Sequence, residues 1–289
     1  MRSITRLSTA VGTAALFTLS FAGGGSVASA HSAVARAQAT ACDSTFGADA
    51  VTAFGGFAEA SKTLAADKLP ALGVTLITLR YKYEDTPAPA GCEDTQSALV
   101  KQLSLAEEGV LLDLGIALDT KNAVNYNDVI TKVWLPRFQT AMAAMATTAI
   151  PAATPTMAAA SGSSGSTCPM TFLQQFSTDS ATIKFTDPTN PAIVGAASVA
   201  YITIHYKYED ATVPAGCELG TKHILQLLEA GEDYALISFA QLGDKANAAT
   251  YADFLKNTIV PRAQKIAQQI RNDFLPSGAA AATMTATPS

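Results

Sequence analysis

Four sets of side chains in this sequence could do chemistry: four cysteines, three histidines, acids on expected helices, and a Tyr-Lys-Tyr-Glu-Asp string that occurs twice. Cys42, Cys92, Cys168 and Cys217 could be thiolate nucleophiles, metal ligands or disulfide partners, and compartment decides among these. His31, His205 and His223 are too few and too scattered for a histidine-rich metal site. The acids Glu107, Glu108, Glu229 and Glu232 fall on expected helices, but carboxylate-bridged metal centres in helical bundles use Glu-x-x-His pairs. No such pair occurs, so these acids are read as solvated helix faces and no metal site or cofactor is expected. Hydrolase nucleophile and phosphate-cradling signatures, Gly-x-Ser-x-Gly and the glycine-rich loops, are missing as well. No catalytic residue is expected and no enzymatic activity is assigned.

The strongest signal is internal. Tyr81-Lys82-Tyr83-Glu84-Asp85 returns as Tyr206-Lys207-Tyr208-Glu209-Asp210, a shift of 125. The same shift carries Pro89-Ala90-Gly91-Cys92-Glu93 onto Pro214-Ala215-Gly216-Cys217-Glu218, Asp119 onto Asp244, Tyr126 onto Tyr251 and Pro136-Arg137 onto Pro261-Arg262. Cys42 falls on Cys168 with one residue of slippage, so each copy owns two cysteines. Of the three connectivities open to four cysteines, duplication selects Cys42 with Cys92 and Cys168 with Cys217. Such a bridge stabilises by roughly 4 kcal/mol in the chain-entropy treatment.

Within this frame the repeated polar string, with Tyr81, Tyr83, Glu84, Asp85 and Arg137 in one copy and Tyr206, Tyr208, Glu209, Asp210 and Arg262 in the other, is a candidate ligand-binding or structural cluster. Glu84 and Asp85 close a helix, where the dipole disfavours anions. They need a cation, and the recurring arginines are available. Counting the helical rise from a shared end brings Arg137 level with Tyr81, so the pairing is expected inside each copy. Lys82 and Glu84 are expected to face water.

The elements that must position these groups are helical. Leu99, Leu103, Ala106, Val110 and Leu114 recur at three- and four-residue steps through 93–119, with Leu105, Leu112 and Ile116 widening the stripe. A matching stripe runs through 221–242. The stretch 126–145 repeats the pattern, with Asn125 and Thr250 as expected N-caps in the two copies and Pro136 and Pro261 expected to kink their helices about a turn earlier. Residues 46–68 and 169–185 read as the first helix of each copy. Residues 72–84 are ambiguous: Leu72, Leu76, Leu79 and Tyr83 fit a helix, whereas Ile77, Leu79, Tyr81 and Tyr83 alternate as in a strand. Bringing Cys42 to Cys92 within bridging distance favours a helical hairpin. The expected fold is all-α, two tandem repeats of a disulfide-clamped antiparallel four-helix module; the alternative is α+β with short strands at 72–84 and 199–209.

Domain organisation follows. Residues 1–30 carry Arg2 and Arg6, an uncharged apolar stretch and Ala28-Ser29-Ala30, the order of a secretory signal peptide. Residues 31–41 read as a disordered segment, 42–147 and 168–275 as the two helical repeats, 148–167 as a flexible Ala/Pro/Ser/Gly linker and 276–289 as a disordered tail. The repeats are expected to fold separately. No stretch is long and apolar enough for a transmembrane helix.

Removing the leader leaves 17 basic against 24 acidic residues. That balance disfavours nucleic-acid partners. The expected protein is secreted or held in the cell envelope and acts as a non-enzymatic binding or structural module, with a protein or other extracellular ligand as its partner. The rival is a small-ligand carrier or enzyme with an inter-helix pocket near the tyrosine motif.

Overall fold

The computed structural model describes residues 42–43, 45–63, 67–148 and 168–274. The leader, the 31–41 segment, the linker beyond Thr148 and the tail inferred from sequence lie outside the described residues. Among the described residues every regular element is helical: α1 (Ala48–Thr63), α2 (Leu69–Asp85), α3 (Glu93–Leu118), α4 (Ala123–Val129), α5 (Leu135–Thr148), α6 (Met170–Ser180), α7 (Pro191–Glu209), α8 (Glu218–Gly243), α9 (Ala248–Phe254) and α10 (Val260–Phe274). No described helix is long and apolar enough to cross a membrane.

The ambiguous 72–84 stretch is helix. Pro70 stands in the first turn of α2, where its missing N–H costs nothing, and Leu69, Gly73, Leu76, Ile77, Arg80 and Tyr81 are buried at helical spacing. A strand would have put Arg80 opposite Leu79 and Tyr81. In the helix Arg80 joins them on the buried side, which turns out to decide the architecture. The chain then turns through Pro89-Ala90-Gly91-Cys92 and Pro214-Ala215-Gly216-Cys217. Gly91 and Gly216 sit at φ 84° and 83°, a left-handed conformation that a side chain would strain. Cys92 and Cys217 follow directly as the N-cap residues of α3 and α8. Disulfides join Cys42 to Cys92 and Cys168 to Cys217, each with Cα atoms 4.6 Å apart.

α3 and α8 are the two longest helices, 26 residues each. From Gln102 to Gly115 every residue of α3 is buried. A helix apolar on one stripe only would not be. α3 is covered by α2, α1 and α5 on one side and by α8 and α7 on the other. α8 is covered in the same way by α7, α10, α2 and α3. One apolar core therefore runs through both halves, joining Leu76, Leu103 and Trp134 to Ala235, Leu236 and Phe239. A smaller cluster around Phe176, Ile224, Leu228 and Phe274 completes the second half. Separately folded repeats were the expectation, and the shared core replaces it.

Two local expectations are refined. The proline kinks take the form of π-helical turns at Ile130–Trp134 and Leu255–Ile259, immediately before Pro136 and Pro261. A proline offers no N–H to the carbonyl four residues back and its ring crowds it, so the helix widens there. The N-caps are not Asn125 and Thr250, because α4 and α9 begin earlier, at Ala123 and Ala248. Asp119 and Asp244 hold those starts, each accepting from an asparagine amide (Asn122, Asn247) and a tyrosine hydroxyl (Tyr126, Tyr251) at 2.8 Å.

The halves pack closely at two glycines. Gly73 in α2 lies against Leu236 in α8, and Gly195 in α7 lies against the ring and hydroxyl of Tyr126 in α4. A methyl group at Gly195 would overlap the Tyr126 hydroxyl, which is held by its bond to Asp119 on a fully buried ring. Gly195→Ala is expected to lower stability by about 1 to 3 kcal/mol, read as a lower urea midpoint. Gly55→Ala, where a methyl group meets nothing within 4 Å, is the control and should not lower it.

Candidate functional site

The acids of α3 and α8 do not face solvent. Glu107 and Glu108 sit in the middle of α3, and Glu232 and Asp233 in the middle of α8, where the two helices meet; all four are buried. Burial without cations would push such carboxyls to hold protons. α2 and α7 supply the cations, one each.

Arg80 from α2 is 2% exposed. Its Nε donates to both Glu107 oxygens at 2.9 and 3.1 Å, Nη1 to Glu84 at 3.1 Å and Glu229 at 3.4 Å, and Nη2 to Asp233 at 2.5 Å. Glu84 and Glu107 belong to the same half as Arg80, whereas Glu229 and Asp233 belong to the other. The Tyr81 hydroxyl also donates to Asp233. A planar guanidinium with five N–H groups suits this task, since it can hold several carboxylates at once. Burial opposes the charged form of Arg80, but the surrounding carboxylates, Asp233 and Glu107 foremost, hold it well above its ordinary range.

The 125-residue shift carries Arg80 to His205, Glu107 to Glu232 and Glu108 to Asp233, and the contacts follow the same shift. His205 Nδ1 of α7 lies 3.0 Å from Glu232 and 3.9 Å from Glu108. The Tyr206 hydroxyl donates to Glu108, as Tyr81 does to Asp233. Burial disfavours the imidazolium, but Glu232, Glu229 and Glu108 outweigh it and raise the His205 pKa to about 10. Burial raises Glu107 and Glu108 well above the usual carboxylate range and raises Glu229 and Glu232 as well. One ligand atom from each of Glu108, His205 and Glu232 lies within 4.8 Å of the other two. This is the one such grouping of possible metal ligands among the described residues.

Around this layer the tyrosine motif is used, but crosswise. Arg137 does not meet Tyr81, Glu84 or Asp85 of its own half. It bonds Glu209 at 2.9 Å and also Asp210, and lies 3.9 Å from the centroid of the Tyr206 ring. Arg262 bonds Asp85 at 2.8 Å and also Glu84, and lies 4.0 Å from the Tyr81 ring centroid. The acids at each helix end do receive a compensating cation, but from the partner half, because α3 and α8 place each arginine across the join. Glu84 thus does not face water: it receives both Arg80 and Arg262. Tyr83 and Tyr208 point away from this layer. Their hydroxyls donate to Asp49 and Asp179, which also pair with Lys82 and Lys207 at 2.7 Å, fastening α1 to α2 and α6 to α7.

Two surface hollows lie outside this layer. One, of about 400 Å³, is lined by Phe46, Asp49, Lys82, Tyr83 and Pro89 among others. The other, of about 170 Å³, is lined by Asp85, Lys222, His223, Arg262 and Lys265 among others. Comparison of the chain with protein-family models, with curated proteins and with solved structures gives no match. Function has to be read from the geometry.

Sequence reasoning misses Arg80, Glu107, Glu108, His205, Glu229, Glu232 and Asp233 as a group. The signal was present in two places. Glu107-Glu108 stands between Leu103-Ser104-Leu105-Ala106 and Gly109-Val110-Leu111-Leu112, a helix segment with apolar residues on all sides and no solvated face to offer. His205 has no histidine counterpart because Arg80 stands at the related position, yet both can carry positive charge.

Breaking a buried ion pair by removing one partner costs about 3 to 5 kcal/mol, so Arg80→Met is expected to destabilise by that order in a urea titration. Double-mutant cycles separate the crosswise pairing from pairing within one half. Arg262→Ala with Glu84→Gln is expected to show a coupling on the order of 1 kcal/mol, and Arg137→Ala with Glu84→Gln none.

Proposed function

We propose that the chain is an exported protein that works by binding or by lending structure, not by catalysis, and that it offers two similar surfaces at a fixed spacing. Two disulfides and the lack, among the described residues, of any helix able to cross a membrane fit an extracytoplasmic site of action. The single observation that carries the functional reading is the fate of the tyrosine motif. Its acids and two of its tyrosines, with Arg137 and Arg262, are engaged with one another across the two halves, so they are spent on holding the body together. What remains for a partner is the outer surface, which the internal similarity presents twice. A rigid body carrying two like surfaces binds a repetitive or paired partner without the entropy of a flexible tether.

A second reading, a small-ligand carrier, rests on the hollow beside Lys82 and Tyr83, whose aromatic wall suits a flat compound and whose Lys82–Asp49 pair offers it polar contacts. Thermal-shift screening of the leader-free protein against metabolite-sized compounds, together with native mass spectrometry of its complex with any captured macromolecule, distinguishes the two. The expected result is no compound that raises the Tm and a stoichiometry of two partner sites per chain. A compound that raises the Tm by several degrees in the parent and not in Tyr83→Ala would overturn the binding-module reading in favour of the carrier.

A further inference from the structure

We propose that Glu108, His205 and Glu232 form a site for one divalent first-row transition ion, for which Zn²⁺ is the test probe. This goes beyond the binding-module reading and does not rest on it.

The donor atoms come from three helices, α3, α7 and α8, so the packing that joins the two halves is also what assembles the site. His205 Nδ1 sits 3.0 Å from one carboxylate and 3.9 Å from the other. Ligands at about 2.0 to 2.2 Å from a zinc ion are separated by about 3 to 3.6 Å, so the two histidine–carboxylate distances are already close to that range, and all three donor atoms lie within 4.8 Å of one another. One imidazole and two carboxylates, with no thiolate, suit zinc, manganese or ferrous ion. The Tyr206 hydroxyl donates to the other oxygen of Glu108 and so fixes the orientation of that carboxylate, as hydrogen bonds to metal-binding carboxylates do.

An independent observation points to a cation here. At the position that the 125-residue shift relates to this one, the same carboxylate cage is filled by the Arg80 guanidinium, held between Glu107 and Asp233. That cage is closed by a permanent covalent cation that can never leave. The second cage has a carboxylate at each corresponding position, Glu232 for Glu107 and Glu108 for Asp233, but its central residue is a histidine, whose ring nitrogen can serve as a metal ligand where a guanidinium cannot. Four buried acids, Glu107, Glu108, Glu232 and Asp233, face only Arg80 and His205 in the interior, and Glu229 adds a fifth carboxylate at the edge. A divalent ion replacing the imidazolium proton raises the positive charge by one where the acids are in excess.

The test uses the intact leader-free chain, stripped with a chelator and kept oxidised. Parent protein and His205→Arg, which copies the sister cage and so should fold without metal, are titrated with Zn²⁺ and with Co²⁺. The parent should take up about one ion per chain, gain Tm on Zn²⁺ addition, and show the visible absorption of Co²⁺ bound to a nitrogen and oxygens. His205→Arg should keep a parent-like or higher Tm without metal and lose affinity at least 100-fold. The proposal is overturned if the stripped parent binds neither ion, which would make this a plain histidine–carboxylate ion pair. It is equally overturned if His205→Arg, shown to be folded by circular dichroism, binds as tightly as the parent, which would place any ion elsewhere, for instance at His31.

Discussion

A guanidinium and an imidazole buried at the centre of this molecule each have carboxylates from both halves as their closest charges, and the rest of the fold answers to that constraint. Isolated charges at such depth would be prohibitively unstable. Each becomes tolerable only when the facing helix supplies its acids, so α3 and α8 must meet and must meet in one register. A slip of one residue would turn Asp233 away from Arg80 and Glu108 away from His205. The apolar core around Leu76, Leu103 and Leu236 provides most of the favourable free energy of burial. It is the polar layer that specifies which of the many ways of packing two apolar helices is adopted. The outer arginines extend the same logic to the rim, where Arg137 and Arg262 reach over the join to the acids that close α7 and α2.

This changes what the internal similarity means for the chain. Two copies on a flexible linker would be independent heads whose joint binding depends on linker length. Two similar halves sharing a core are a single body whose surfaces have a fixed relation, and each disulfide is internal to its half. The asymmetry between Arg80 and His205 then becomes the informative difference between otherwise parallel halves. A doubled helix pair needs the same charge compensation twice, and here it is met once by a group that is always charged and once by a group that need not be.

Much of the helical architecture was legible in the sequence because three- and four-residue periodicity in 93–119 and 126–145 reflects which side chains must leave water. The 72–84 stretch was not decided by that signal, since Ile77, Leu79, Tyr81 and Tyr83 also alternate as a strand would. What decides it is Arg80, whose buried partners Glu107 and Asp233 lie 27 and 153 residues away; its one local partner, Glu84 four residues on, fits a helix but does not by itself reveal the burial. The crosswise pairing was illegible for a related reason: a sequence shift shows that Arg137 and Arg262 occupy equivalent places but is silent on whether each serves its own half or the other. The buried acids were misread because solvated acids are the usual case on helices. Only the apolar surroundings of Glu107 and Glu108 on every side, together with the matching acids at 232 and 233, could have signalled a second helix bundle pressed against them.

The central claim, that the two halves form one body through this buried layer, is open to a direct test because neither disulfide links them. A protease site placed between Thr147 and Thr167 allows the purified chain to be cut once and passed over a size-exclusion column under native conditions, followed by calorimetry. If the account is right, the cut halves elute together at the size of the uncut chain and melt in a single transition. Two half-sized species that separate, keep their helical spectrum and melt independently would contradict it.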